Sequence, residues 1–569
     1  MRKLYQWIDS LWQWIAERVF VRFEFNLPVS ELRKLAEAGR LSFALTSGGF
    51  VEWLILSSWC RKEGFGAILI ANRRRILLFA KPLYFFQICF KRKSYAELFL
   101  SEEHGPRLLI CPFHERKQPF DPTPAESLLS GIYNGLQGRG FFLVPIFVLW
   151  RKHVRGAAKK LSEHFLGLGS SPNLIGKIWY LARQRKDSAV RSLTPITMEA
   201  KENSEGTEIE ETEAMRAAKN ARRRILVQVN QEMRVVLGPR YLSPHSVKEN
   251  LLKDPDILKA ISDVAQTSGQ DRKRVMMLAY KNLTEIVANY QYRTIEFMYL
   301  FLSWLFTRVF KGVNVNEKEL QNVREVMKTK PVVFICAHRS HFDYLVIPYV
   351  LFMQDMVTPH IAAGLNMAFW PMSTFMRSGG AFFIRRSFRG DGLYTVCLRK
   401  YIEYLLKNRY NIKYFIEGTR SRTGKMLAPA YGLLKMVMEP CRNKVIEDIA
   451  LVPVSICYEE LPEQGAYSKE LLGAQKDKEN ARALFRSRKV IKTNFGKVYV
   501  RFADPISVKD TYQLAGGAAP TLTLQKTAFQ ICKSINDVSP ITARAIVSTV
   551  FLAHPMASLP LQKVHSIGT

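Results

Sequence analysis

The chain has 569 residues, too many for one compact core, and its 47% hydrophobic and 12% aromatic content exclude wholesale disorder. A formal charge of +33, with a pI near 9.8, calls for a polyanionic partner: nucleic acid, an anionic membrane face or phosphorylated substrates. The eight cysteines are scattered without a C-x-x-C pair and sit mostly in apolar runs, which indicates neither a zinc site nor a disulfide framework and suits a reducing compartment.

In chain order, residues 1–29 open with MRKLYQWIDSLWQWIAERVF, where Leu4, Ile8, Leu11, Ile15 and Val19 recur at helical spacing beside Trp7, Trp12 and Trp14. This predicts an amphipathic helix suited to a membrane interface or to capping a core, and Asp9 and Glu17 rule out a secretory signal. Residues 30–155 read as α/β, and 156–311 as a helical region. Within it, TMEAKENSEGTEIEETEAM (197–215) carries seven glutamates and no aromatic, the composition of a disordered acidic loop. No stretch reaches the roughly 18 apolar residues of a spanning helix. The nearest, FMYLFLSWLF, covers 297–306, so peripheral association at the cytoplasmic face of a membrane is expected.

From 312 to 510 a grammar repeats: short β-branched runs end in polar residues and lead into helical periods, as in PVVFICAH, GAFFIRRS, NIKYFIEG and IALVPVSICYE. That alternation predicts a mostly parallel sheet flanked by helices, with ligands bound beyond the carboxyl ends of the strands. Residues 511–569 return to loop and short helix.

Each polar strand end has a plain and a chemical reading. His338 ends the first run and Asp343 follows five positions on. If Ser340 caps the next helix, Asp343 completes a capping box; the same geometry lets the carboxylate fix the imidazole tautomer of a histidine base. Arg385 and Arg386 end the second run, where guanidinium suits phosphate. In YFIEGTRSRTGK, Glu417 ends a strand, Gly418 permits a sharp turn, and Arg420, Ser421, Arg422 and Lys425 follow as an anion cradle without Walker A spacing. Pro453 lies inside the fourth run, which predicts an edge strand or a bulge.

HRSHFD, GAFFIRR, IEGTRSR and LVPVSICY, in that order, resemble the four blocks of the glycerolipid acyltransferase superfamily. PHIAAGLNMAFWP, EGTRSRTGK and YSKELLGAQKDKEN resemble the bacterial membrane-bound glycerol-3-phosphate acyltransferases and the related dihydroxyacetone-phosphate acyltransferases. The likeness runs from about 250 to 510; the first 240 residues match only loosely, and the long C-terminal extension typical of the bacterial enzymes is missing. It implies acyl transfer from acyl-CoA or acyl carrier protein to the sn-1 hydroxyl of glycerol 3-phosphate, giving lysophosphatidic acid, with no metal and no bound cofactor. His338 would be the general base and Asp343 its orienting partner. Arg385 or Arg386, with Arg420 and Ser421, would hold the acceptor phosphate. Glu417 and Gly418 would shape that pocket, with Arg339, Ser340 and Pro453 in support. The partners implied are an anionic membrane surface and the two substrates, not nucleic acid. The rival activity is dihydroxyacetone-phosphate acylation; a rival of another class is a basic membrane- or nucleic-acid-binding protein without catalysis.

A second likeness is internal. LSFALTSGGFVEWLIL (41–56) aligns with VVFICAHRSHFDYLVI (332–347), placing Phe43 on Phe334, Ser47 on His338 and Glu52 on Asp343. Lys91 and Arg92 fall on Arg385 and Arg386, Pro112 on Glu417, and Val144-Pro145 on Val452-Pro453, with the offset drifting steadily upward. Residues 30–155 are therefore expected to be a degenerate acyltransferase-like α/β domain lacking the base.

Overall fold

The computed structural model describes residues 22–25, 28–45, 50–65, 69–70, 107–110, 124–134, 140–149, 189–198, 208–239, 241–365, 372–385, 387, 390–464 and 495–554. The predicted N-terminal helix over 1–20 lies outside them. The chain divides into two units, 1–233 and 234–569.

The first unit comprises β1 (Arg22–Phe25), α1 (Val29–Ala38), β2 (Gly39–Leu45), α2 (Phe50–Lys62), β3 (Leu69–Ile70), β4 (Arg107–Ile110), α3 (Pro124–Asn134), β5 (Gly140–Leu149), β6 (Ala189–Ser192) and β7 (Ile196–Met198), then the long helix α4 (Glu208–Leu237), which runs past the boundary. Its sheet runs β1-β6-β5-β2-β4-β3, with β7 also on β5. Two expected boundaries move. β6 and β7 complete this sheet, so the α/β unit does not end at 155, and β1 puts a strand inside 1–29. The segment 197–215 is not a loop throughout, since β7 takes its start and α4 its end. Composition misled there: Glu, Ala, Met and Lys are also good helix formers, and a glutamate-rich helix start favours the macrodipole.

The second unit begins with helices α5 (Pro244–Leu252), α6 (Pro255–Ser268), α7 (Arg272–Ile286) and α8 (Tyr292–Val309). It continues with β8 (Val313–Val315), α9 (Glu317–Thr329), β9 (Val332–Cys336), α10 (Asp343–Met353), β10 (His360–Gly364), α11 (Met372–Ser378) and β11 (Ala381–Ile384). Then come α12 (Gly392–Lys407), β12 (Ile412–Phe415), α13 (Tyr431–Arg442), β13 (Ala450–Tyr458), β14 (Val498–Phe502), β15 (Ile506–Ser507), α14 (Val508–Leu514), α15 (Pro520–Asp537) and α16 (Ala543–Ala553). The strand order is β11-β10-β12-β9-β13-β14-β8, with β15 also on β13, and the central strands are parallel.

Period-2 alternation builds two cores. Along fully buried β9, Val333 and Ile335 face one layer, with Ile261 of α6, Leu283 of α7 and Leu434 of α13. Val332, Phe334 and Cys336 face the other, with Phe306 of α8, Val323 of α9 and Ile347 of α10. A strand covered on both faces must be apolar throughout, which is why VVFIC shows no alternation in sequence. The C-terminal region is more than loop: α15 has Pro520 in its first turn and puts Ala528, Ile531 and Ile535 into the first of these cores.

The two sheets share strand order and register apart from edge strand β11, which has no counterpart among the described residues of the first unit. Phe43 pairs with Val144 and with Leu108; at the aligned positions Phe334 pairs with Val452 and with Lys413. The next pairs, Ala44 with Pro145 and Ile335 with Pro453, also correspond. Both prolines lie in interior strands, against the edge expectation. In each unit the antiparallel neighbour changes beside the proline, from β6 to β7 or from β14 to β15. At that break Leu193 N donates to Pro145 O at 2.8 Å and Ala503 N to Pro453 O at 3.0 Å. The missing N–H thus falls where no ladder bond is required.

Candidate active site

β9 delivers His338 one residue beyond Ala337, at the carboxyl edge of the parallel strands. The ring is 5% exposed; Phe415 of β12 stacks on it at 3.9 Å between centroids, and Tyr344 meets it edge-on at 5.1 Å. Its Nδ1 lies 3.1 Å from Asp343 Oδ2. Among the described residues Nε2 makes no hydrogen bond. With Nδ1–H donated to the carboxylate, the Nε2 lone pair is the one left to accept a proton.

Asp343 starts α10 and is 1% exposed. Oδ2 also accepts from Arg339 N at 2.7 Å and Ser340 N at 2.8 Å, and Oδ1 accepts from the Tyr458 hydroxyl at 2.6 Å. The plain and the chemical readings of this carboxylate therefore hold together: it closes the turn before α10 and orients His338. Ser340 is not the helix cap, because α10 begins three residues later. Its hydroxyl donates to the Glu463 carboxylate at 3.0 Å, and Glu463 also accepts from His341 N at 2.9 Å.

Burial pulls the His338 imidazole below its ordinary range, with the cations Arg420 and Lys413 adding to the pull and Asp343 opposing it. The ring is accordingly neutral at neutral pH, the form a base requires. Burial pushes the Asp343 carboxyl up, but the hydrogen bonds from His338, Ser340 and Tyr458 outweigh it and keep the carboxyl below the usual range.

The turn after β12 is bound to the histidine. Glu417 Oε1 accepts from His338 N at 2.7 Å and Oε2 from Leu427 N at 2.8 Å, while Ser421 N donates to His338 O at 2.8 Å. Gly418 has φ +67°, the left-handed conformation that glycine takes without strain. Ser421 is buried, and its hydroxyl donates to Lys425 O at 2.6 Å, so it closes the loop and does not open toward a ligand. Arg339 and Arg420 are half-buried around His338, and Lys425 is exposed on the same turn.

Arg385, expected at the acceptor phosphate, is engaged by protein groups. Its Nε and Nη2 form a fork with Glu285 at 2.7 and 2.9 Å, Nη1 meets Asp391 at 2.8 Å, and Nη2 also reaches Asn282 at 3.1 Å. The guanidinium lies 4.2 Å from the Tyr394 ring centroid. A fork saturated by a carboxylate ties α7 to the end of β11, and periodicity could not reveal a partner a hundred residues away. Arg386 lies outside the described residues, as do Arg389, Ser47, Lys91, Arg92 and Pro112.

Three residues were missed by sequence reasoning: Tyr458, Glu463 and Lys413. Lys413 is fully buried in β12, donates to the Asp343 carbonyl, and lies 4.8 Å from the Phe415 ring centroid. Burial lowers its ammonium below the ordinary range. A lone charge inside the apolar run NIKYFI was the available signal.

Residues 314–457 match the family model described as Acyltransferase, and 467–566 the one described as Glycerol-3-phosphate acyltransferase C-terminal region. The chain is 37% identical over 370 residues to a glycerol-3-phosphate acyltransferase of Histophilus somni (strain 129Pt), covering 65% of this chain and 44% of the relative. It is 32% identical over 435 residues to that of Haemophilus ducreyi (strain 35000HP / ATCC 700724), covering 74% and 52%. The chain thus spans about half the length of the curated relatives it matches. The crystal structure of the 1-acyl-sn-glycerophosphate (LPA) acyltransferase from Thermotoga maritima aligns with 52% of this chain and 96% of its own, at 19% identity and a TM-score of 0.27.

Proposed function

We propose that this homologue of the glycerol-3-phosphate acyltransferases transfers a fatty acyl group from acyl-CoA or acyl carrier protein to the sn-1 hydroxyl of glycerol 3-phosphate. The observation that carries the reading is the His338 Nδ1–Asp343 Oδ2 contact of 3.1 Å, which leaves Nε2 as the open base. Nε2 takes the hydroxyl proton as the oxygen attacks the thioester carbonyl. The new C–O ester bond forms, the C–S bond breaks, and the proton passes to the departing thiolate. General-base help of this kind contributes roughly 10²–10⁴-fold.

Arg420, with Arg339 and Lys425 beside it, is the reading's choice to grip the acceptor phosphate and hold the hydroxyl near Nε2, so that remote binding supplies orientation. Glu417 and Gly418 shape the turn that presents these cations. The first unit is read as a degenerate copy of the second, supported by the corresponding registers and by Ser47 where the second copy has His338.

An anionic membrane surface is the proposed platform. Among the described residues no helix is long and apolar enough to cross a membrane. Yet α8 carries Phe297, Leu300, Phe301 and Trp304 on its outward side, each more than 40% exposed, followed by exposed Arg308 and Lys311. An aromatic stripe ending in cations suits the interface of an anionic bilayer.

The test is turnover of labelled acyl-CoA and acyl carrier protein, each with glycerol 3-phosphate and with dihydroxyacetone phosphate, by wild-type protein and His338→Ala. Turnover on glycerol 3-phosphate that collapses in the variant supports the reading. Turnover confined to dihydroxyacetone phosphate transfers it to that acceptor, and no turnover on either overturns it.

A further inference from the structure

The Asp343 carboxylate is almost wholly buried, and its two oxygens are served differently. Three donors from its own loop, His338 Nδ1, Arg339 N and Ser340 N, converge on Oδ2. Oδ1 receives the Tyr458 hydroxyl at 2.6 Å, delivered across 115 positions by the last residue of β13. The Tyr458 ring packs against Phe310 at 5.8 Å between centroids, on the side chain that brings the phenol oxygen to Oδ1. Without it Oδ1 would be a buried anionic oxygen short of a partner, and the carboxylate would be free to turn Oδ2 away from the imidazole.

We propose that Tyr458 is a positioning residue for the catalytic pair: its hydroxyl locks the Asp343 carboxylate with Oδ2 toward His338 Nδ1, so that Nε2 points at the acceptor hydroxyl. This rests on the acyltransferase reading for its consequence in turnover, but the lock itself is a property of the free protein. A sharing of Asp343 charge with Tyr458 also limits how strongly the carboxylate favours imidazolium. The other charged and titratable groups facing this assembly are Lys413, Arg420, Arg339 and Glu417 around His338, Cys336 near Asp343, and Glu463, which binds Ser340 on the Tyr458 side.

The experiment is a double-mutant cycle of Tyr458→Phe and Asp343→Asn, read in kcat, KM and the pH profile, with folding checked by thermal melting. Tyr458→Phe removes one oxygen and keeps the ring contact. It is expected to lower kcat about tenfold with KM for glycerol 3-phosphate within about twofold, and to shift the acid limb of kcat/KM upward. Added to Asp343→Asn it is expected to cost less than about twofold, because the carboxylate it positions is gone. An unchanged kcat in the single variant, or an equal loss in both backgrounds, overturns the proposal. If wild-type protein acylates neither acceptor, the activity reading fails alone, and ¹⁵N titration of the His338 ring, assigned with His338→Gln, decides the lock. A higher titration midpoint in Tyr458→Phe supports it, and superimposable curves overturn it.

Discussion

The two units build closely corresponding sheets, and the proposed chemistry uses only the second. In both, a central parallel strand passes into a helix whose first turn carries a buried carboxylate, Glu52 or Asp343, each 1% exposed. In both, a proline sits where the antiparallel neighbour changes. Only the second unit has histidine at the strand end in the aligned sequence; the first has Ser47. The difference teaches that the scaffold and the chemistry separate cleanly. Register and layer packing are maintained by many weak apolar contacts that tolerate substitution, whereas a base is a single group with no substitute.

The largest break between the halves is expected at the base itself. His338→Ala should lower kcat by roughly 10²–10⁴-fold while the circular dichroism spectrum and vesicle binding are retained. The comparison sharpens at the carboxylates: Asp343→Asn should cost about 10²-fold or more in kcat, and Glu52→Gln less than about twofold, with both followed in the same assay. If Glu52→Gln were equally damaging, the first unit would not be chemically silent.

Next come the matched core positions. Phe43 and Phe334 are both fully buried, so alanine at either should destabilise its own unit by about 3–5 kcal/mol, seen as a lowered thermal or urea midpoint. At the rim, Arg420→Met should raise KM for glycerol 3-phosphate about tenfold, whereas Arg385→Met should mainly lower stability, by about 2 kcal/mol of lost charged hydrogen bonding, seen as a lowered Tm.

The smallest effect concerns pH. Because burial lowers the His338 pKa, activity should be full above the ordinary imidazole range and fall only as pH drops through the lowered value. Lys413→Met removes a cation that disfavours imidazolium, so the acid limb should move to higher pH, by less than about one unit. A limb that moved lower would contradict this electrostatic account.

Legibility followed distance along the chain. His338 with Asp343, and Glu417 with Gly418, were readable because each group lies within one strand–turn–helix, where spacing decides geometry. The paired registers were readable as well, since Val144-Pro145 and Val452-Pro453 are local signatures. The protein partners of Arg385 were hidden because a strand-end arginine looks the same whether it meets a phosphate or Glu285. Tyr458 and Glu463 lay next to recognised motifs, but nothing local reveals that their oxygens reach Asp343 and Ser340. Charge composition could not separate loop from helix at the end of 197–215, where the same glutamates suit a solvated loop and a helix start.

By itself, then, the sequence determined which segments are strands buried on both faces, where polar residues leave the sheet, and which histidine has a carboxylate within one turn. Those are consequences of short-range sterics, period and covalent spacing. The tertiary structure alone decided which arginine pairs with Glu285, which phenol completes the buried carboxylate, and which lysine is buried near His338. Such choices are made by hydrogen bonds that close only when strands distant in sequence are stacked side by side in a medium without water.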